Sequence, residues 1–167
     1  MRNQFDTLFL DRDGVINVKI ENKYIVNFSD FEFLPGVLLA IKTLSSIFNR
    51  IIIITNQQGI GKKIMTDQDL FFLHKKMLFE IEKYGGKIDG IYYCPHLASL
   101  NCECRKPKSG MILKAIADFP DIDRKFSYLI GDSESDIEAG KKEGLKTVKV
   151  NNEYTLSNWS NEFLVDY

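Results

Sequence analysis

Residues 51–54 are four consecutive isoleucines. A β-branched run with no polar alternation fits a strand covered on both faces, as inside a parallel sheet. Other short apolar runs rich in β-branched residues recur at 7–10, 88–94, 127–130 and 147–150. Between them the apolar spacing changes to that of helices. Val37, Leu38, Ile41, Leu44 and Ile47 share one face. Leu70, Leu73, Met77, Leu78 and Ile81 share a second, with Thr66 and Asp67 as its start. Met111, Ile112, Ala115, Ile116 and Phe119 share a third, begun near Ser109. A shorter helix is expected from Ser135 to Lys142, with Gly144 as its stop. Strands alternating with helices imply right-handed β-α-β units, hence an α/β fold with a mostly parallel sheet covered on both faces.

The chain has 167 residues, room for one domain spanning 1–167, with a short tail at 151–167. Twenty-two basic residues against twenty-three acidic ones leave a formal charge of −1, which argues against a nucleic-acid partner. No apolar stretch approaches the roughly 20 residues of a membrane helix. Asp6 stands where a signal peptide would be apolar, so the expectation is a cytoplasmic protein with no membrane partner. All three cysteines fall between 94 and 104, which points to metal or redox chemistry rather than to a disulfide scaffold.

Ligands of such sheets bind beyond the carboxyl ends of the strands. The first strand runs into Asp11-Arg12-Asp13-Gly14-Val15 and the second into Thr55-Asn56-Gln57. The fourth runs into Gly131-Asp132, with Asp136 four residues on, and Arg105-Lys106-Pro107 precedes it. Each piece alone has a plain structural reading: Asp-x-Asp-Gly is a common turn, and acids suit a helix N-terminus. Together they bring carboxylates, a hydroxyl and a lysine to one sheet edge, and clustered carboxylates suit a hard divalent ion such as Mg²⁺.

In order and spacing these four segments resemble the motifs of the haloacid dehalogenase superfamily of phosphotransferases, over nearly the whole chain. The resemblance implies a single Rossmann-like domain. No cap-sized excursion interrupts the sequence, so the loops at 15–34 and 94–108 must shape the pocket. It further implies Asp11 as a nucleophile that takes the phosphoryl group as an aspartyl-phosphate, and Asp13 as the acid and base. Catalytic Mg²⁺ would lie on Asp11, the backbone carbonyl of Asp13 and Asp132. Thr55 and Lys106 would hold the phosphoryl oxygens. Asp136 would orient Lys106 or metal-bound water.

Cys94, His96, Cys102 and Cys104 place three thiolates and an imidazole within one short loop, 94–104, the donor set of a closed, structural Zn²⁺ site. His74 has no ligand-type neighbour in motif spacing and reads as a surface or packing residue. The zinc loop followed by Arg105-Lys106-Pro107 resembles the branch of the superfamily that holds heptose bisphosphate and histidinol phosphatases. Asn56, Gln57 and Arg105 would then contact substrate, a small phosphorylated sugar, and the chain would act as a monomer. The reaction implied is removal of the 7-phosphate of a heptose 1,7-bisphosphate. The five-residue spacer between His96 and Cys102 keeps histidinol phosphate as the alternative. A receiver-type signalling domain also gathers acids, Thr and Lys around Mg²⁺, but needs neither Asp13 nor a zinc loop.

Overall fold

The computed structural model describes residues 5–165. Five parallel strands, β1 (Phe5–Leu10), β2 (Phe48–Asn56), β3 (Gly90–Cys94), β4 (Tyr128–Gly131) and β5 (Lys146–Lys149), form one sheet in the order β3-β2-β1-β4-β5. The helices are α1 (Val37–Ile47), α2 (Asp67–Lys83), α3 (Gly110–Asp118), α4 (Glu134–Lys142) and α5 (Leu156–Val165). Strand alternation divides the core. Leu8, Leu10, Ile51 and Ile53 face α1, α2 and α5, whereas Phe9, Ile52, Ile54 and Leu129 face α3 and α4. The isoleucine run is buried on both sides because each face carries a layer of helices.

The expected helices form where their apolar faces lie, and local chemistry sets their ends. Thr66 and Asp69 make a reciprocal capping box at the start of α2, and Ser133 and Asp136 make another at the start of α4. Gly144, with φ of 72°, lies just beyond α4 in the left-handed region, the stop that the sequence suggests. The third strand begins at Gly90 rather than 88, and the second begins already at Phe48, directly after α1.

The tail contains α5, which lays Leu156, Trp159 and Phe163 into the core beside α1. The rings of Phe5, Phe48, Tyr128, Trp159 and Phe163 pack on one another with centroids 4.7–5.9 Å apart. This cluster pins the amino-terminal ends of β1, β2 and β4, leaving the carboxyl ends for chemistry. The chain runs outward through β1, β2 and β3, then returns to place β4 on the other side of β1. That reversal is the topological switch point at which open α/β sheets bind ligands. Among the described residues no helix is long and apolar enough to cross a membrane.

Candidate active site

Asp11 follows β1 directly, and its N–H donates to the Ile130 carbonyl at 3.0 Å, which sets it at the β1–β4 junction. Lys106 arrives from the loop after β3 with its side chain only 3% exposed. Its Nζ lies 2.8 Å from Asp11 Oδ1, 2.6 Å from Asp136 Oδ1 and 2.9 Å from the Ile54 carbonyl. Asp136 has two jobs: Oδ2 accepts the cap hydrogen bonds from Ser133, and Oδ1 takes Lys106. Both sequence readings of this acid, cap and lysine orienter, are therefore met in one side chain.

One lysine between two buried carboxylates leaves negative charge uncompensated. Burial pushes the Asp11 pKa up to about 7 against the pull of Lys106, and the charges of Asp136 and Asp13 add to the rise. Burial opposes the charge of Lys106 as well, but Asp11 and Asp136 outweigh it and raise its pKa. Carboxylate oxygens of Asp11, Asp132 and Asp136 lie within 4.8 Å of one another. Asp132 Oδ1 is buried with no hydrogen-bond partner, and Oδ2 takes Lys19 Nζ at 2.6 Å. A charge-deficient, all-oxygen donor set with an orphaned oxygen fits a hard cation. Both oxygens of Asp136 are taken, by Lys106 and by its cap, whereas Lys106 takes Oδ1 of Asp11 and Lys19 takes Oδ2 of Asp132, so Asp11 and Asp132 are the better candidates to share an ion. Gly14 completes the turn at φ 85°, and a Cβ there would collide with the Asp132 carboxylate.

Asp13 is held by its neighbours. Asn17 Nδ2 donates to Oδ1 at 2.9 Å, Gln57 Nε2 to Oδ2 at 3.0 Å, and the Arg12 guanidinium to both oxygens. Burial favours the neutral acid, but the Arg12 charge and these hydrogen bonds win and lower its pKa below the ordinary 3.8. Thr55, 1% exposed at the end of β2, accepts from Gln57 Nε2 at 2.9 Å.

The three residues expected to contact substrate all line a cleft of about 160 Å³ beside Asp13, together with Lys19, Lys23 and Tyr24 of the 15–34 loop. Two of them have their side chains committed elsewhere. The Asn56 amide pairs with the Lys106 backbone, donating to its carbonyl at 3.2 Å and accepting its N–H at 3.1 Å. The Gln57 amide bridges Thr55 and Asp13. Arg105 differs, for its Nη1 is buried without a hydrogen-bond partner.

Cys94, His96, Cys102 and Cys104 converge so that their ligand atoms lie within 4.8 Å of one another. Sulfur–sulfur distances of 2.8–3.5 Å and His96 Nδ1 3.2 Å from Cys104 Sγ describe four donors closing on one point. That arrangement suits a tetrahedral ion with no open position. The loop is tied to the site: Gln57 N–H donates to the Cys94 carbonyl at 2.8 Å, and Arg105 and Lys106 follow Cys104 at once.

Of the two sequence readings of His74, surface or packing, the structure excludes the first and adds a polar contact to the second. The residue is buried, and its Nε2 lies 3.1 Å from Arg12 Nη1. Arg12 itself is 1% exposed. The sequence alone assigned no role to Arg12, Asn17 or Lys19; the contacts of Arg12 with His74 and of Lys19 with Asp132 join residues far apart in the chain, and Asn17, four residues after Asp13, was missed.

A parallel sheet that gathers an aspartate pair, a threonine and a buried lysine at its switch point, with a Cys/His loop beside it, is the arrangement expected of a hydrolase of the haloacid dehalogenase type. A family model described as HAD-hydrolase-like matches residues 103–162. The chain is 46% identical over 146 residues to D-glycero-alpha-D-manno-heptose-1,7-bisphosphate 7-phosphatase of Campylobacter jejuni, covering 87% of this chain and 82% of that one. It is 41% identical over 131 residues to the Mycobacterium tuberculosis protein of the same name, covering 78% of this chain and 69% of that one. The crystal structure of D,D-heptose 1,7-bisphosphate phosphatase from B. bronchiseptica, complexed with magnesium and phosphate, superposes with a TM-score of 0.88 at 28% identity, covering 97% of this chain and 99% of that one. The chain belongs to the haloacid dehalogenase-like hydrolases, in the family of these phosphatases, which act on phosphoric monoesters.

Proposed function

We propose that this enzyme removes the 7-phosphate of D-glycero-D-manno-heptose 1,7-bisphosphate through an aspartyl-phosphate on Asp11. The reading is supported by the relatives' names and by one feature of the site: a cationic cleft, lined by Lys19, Lys23 and Arg105, opens beside Asp13. A substrate with one phosphate at Asp11 carries a second that needs such a partner.

In the first half-reaction Asp11 attacks phosphorus, a P–O bond to Asp11 forms and the bond to the sugar oxygen breaks. The Asp13 carboxyl gives its proton to that oxygen. Arg12, Asn17 and Gln57 favour the ionised carboxylate, whereas a phosphate dianion arriving beside it favours proton uptake. In the second half-reaction water attacks phosphorus, Asp13 takes the water's proton, and inorganic phosphate leaves with Asp11 restored. Lys106 and Thr55 would donate to phosphoryl oxygens in both halves. Mg²⁺, held by Asp11, the Asp13 carbonyl and Asp132, would offset the repulsion between carboxylate and phosphate. Zn²⁺ on Cys94, His96, Cys102 and Cys104 would be structural, fixing the loop that delivers Arg105 and Lys106.

Phosphate release from heptose 1,7-bisphosphate, a heptose monophosphate, histidinol phosphate and an aryl phosphate tests the assignment. The bisphosphate should have the highest kcat/KM. Arg105→Ala should lower it roughly tenfold or more while leaving the aryl phosphate nearly unchanged, as expected for a lost charge-assisted contact to a distal anion. A higher kcat/KM for histidinol phosphate replaces the heptose assignment.

A further inference from the structure

The acid–base machinery extends past Asp13 to a histidine on a different layer of the fold. His74 lies on the apolar stripe of α2, between Leu70, Leu73, Met77 and Ile81, at a position that packing alone would give to an aliphatic side chain. A buried imidazole in such a stripe requires a partner. That partner is Arg12, and because a guanidinium can only donate, His74 Nε2 accepts and the ring's proton is on Nδ1. Burial, aided by the Arg12 charge, lowers the His74 pKa to about 3, which agrees with a neutral acceptor.

Arg12 is the middle of a chain. Its Nη1 reaches His74 at 3.1 Å, while Nη2 donates to Asp13 at 2.9 and 3.2 Å and Nε lies 3.3 Å from the same carboxylate. The guanidinium is planar, so holding one end sets the direction of the other two donors. We infer that His74 is a positioning residue: by accepting from Arg12 Nη1 it fixes the guanidinium plane that aims the Asp13 carboxyl at the leaving oxygen. The inference rests on the acid–base role proposed for Asp13. It assigns His74 no contact with substrate.

A positioning role differs from a packing role in how the damage depends on the leaving group. Protonation of the departing oxygen matters most for a poor leaving group and least for a good one. Phenyl phosphate and p-nitrophenyl phosphate differ in this respect and hardly in how they bind. With His74→Leu, kcat/KM for phenyl phosphate should fall roughly tenfold and that for p-nitrophenyl phosphate less than about threefold, a part of the full effect of a general acid. His74→Gln offers a carbonyl oxygen to Arg12 and should keep both substrates within about threefold of the native enzyme. Equal losses on both substrates for His74→Leu, or a folded His74→Gln that behaves like it, overturn the inference. The native enzyme supplies a check independent of any variant. Its imidazole ¹⁵N shifts at pH 6 should show one neutral histidine with Nδ1 protonated and Nε2 accepting; an imidazolium or the other tautomer at His74 overturns the inference. Asp13→Asn separates the two levels. If it loses both aryl phosphates equally, the acid role of Asp13 fails and His74 fails with it; if it shows the leaving-group dependence and His74→Leu does not, only the role of His74 fails.

Discussion

Replacing Lys106 with Met keeps the length and apolar stem of the side chain and removes its charge. In the native structure that charge lies 2.8 Å from Asp11 and 2.6 Å from Asp136, and the three side chains are 3%, 11% and 1% exposed. The variant leaves two buried carboxylates facing each other with no cation between them. Breaking a buried pair in this way costs about 3–5 kcal/mol. The loss should depend on pH with a definite sign. Without Lys106 the Asp11 pKa, already up at about 7, rises further from its ordinary 3.8. The penalty is small near the unfolded value, where the carboxyl is protonated in both states, and grows as pH rises toward the folded value. Both proteins carry this penalty alike until the native carboxyl ionises at about 7, so the stability gap between native protein and variant should widen as pH rises above about 7. Adding Asp136→Asn removes one of the two opposed charges and should recover about 2 kcal/mol, because the two sites interact directly. Activity should not return if Lys106 is the donor to the phosphoryl oxygens, as proposed; kcat should stay down roughly 10²–10³-fold in both variants. Urea denaturation followed by circular dichroism, with divalent ions chelated, measures the first effect, and steady-state phosphate release measures the second. A Lys106→Met enzyme destabilised by less than about 1 kcal/mol, or a double variant no more stable than the single one, would refute the reasoning.

The same linkage applies to His74 with the opposite group type. Its folded pKa of about 3 lies below the ordinary 6.5, so the unfolded chain takes up a proton that the folded one refuses, and stability is lost as pH falls below 6.5. Relative to His74→Gln, the native protein should lose about 2 kcal/mol between pH 6.5 and pH 5 in urea titrations, and parallel curves would contradict this. Any release of metal from the His96 loop acts on both proteins and cancels. Elemental analysis should find about one Zn²⁺ per chain, as a closed four-ligand site requires. Stripping it with a strong chelator should abolish turnover in a way that Mg²⁺ alone does not restore and added Zn²⁺ does. Full activity in protein shown to be zinc-free would remove the loop's structural role.

The strands and four of the helices were legible because their residues obey local rules. The isoleucine run, the 3.6-residue spacings and the Thr66 start of α2 each report an environment within reach of one element. The early start of β2 was hidden by Asn49 and Arg50, polar residues that interrupt the apolar run; Arg50 is half-buried, pairing with Asp121 at 2.5 Å and with its guanidinium 5.0 Å from the centre of the Phe119 ring. The expected short tail at 151–167 contains the helix α5, whose Leu156, Trp159, Ser160 and Phe163 recur at helical spacing and are all buried. The residues at the strand ends were legible because a parallel sheet brings successive carboxyl ends to one edge whatever the loops between them do. The Arg12–His74 contact was not, since it joins residues 62 positions apart and depends on how α2 lies against the sheet. The same limit applies to Asn56, whose hydrogen bonds to the Lys106 backbone span 50 positions. Motif position brought it near the pocket but could not show which way its amide was spent.

The central claim, that Asp11 carries the phosphoryl group, is tested most directly by trapping that group. With p-nitrophenyl phosphate, whose leaving group departs with little need of protonation, Asp13→Asn should slow mainly the water-activation half and let the intermediate accumulate on the enzyme during turnover. Rapid quenching and borohydride reduction convert an aspartyl-phosphate to homoserine, which peptide mass spectrometry locates. The account predicts homoserine at position 11, dependent on substrate and absent from Asp11→Asn. Homoserine at any other aspartate, or Asp11→Asn enzyme that still releases phosphate at the native rate, would contradict it.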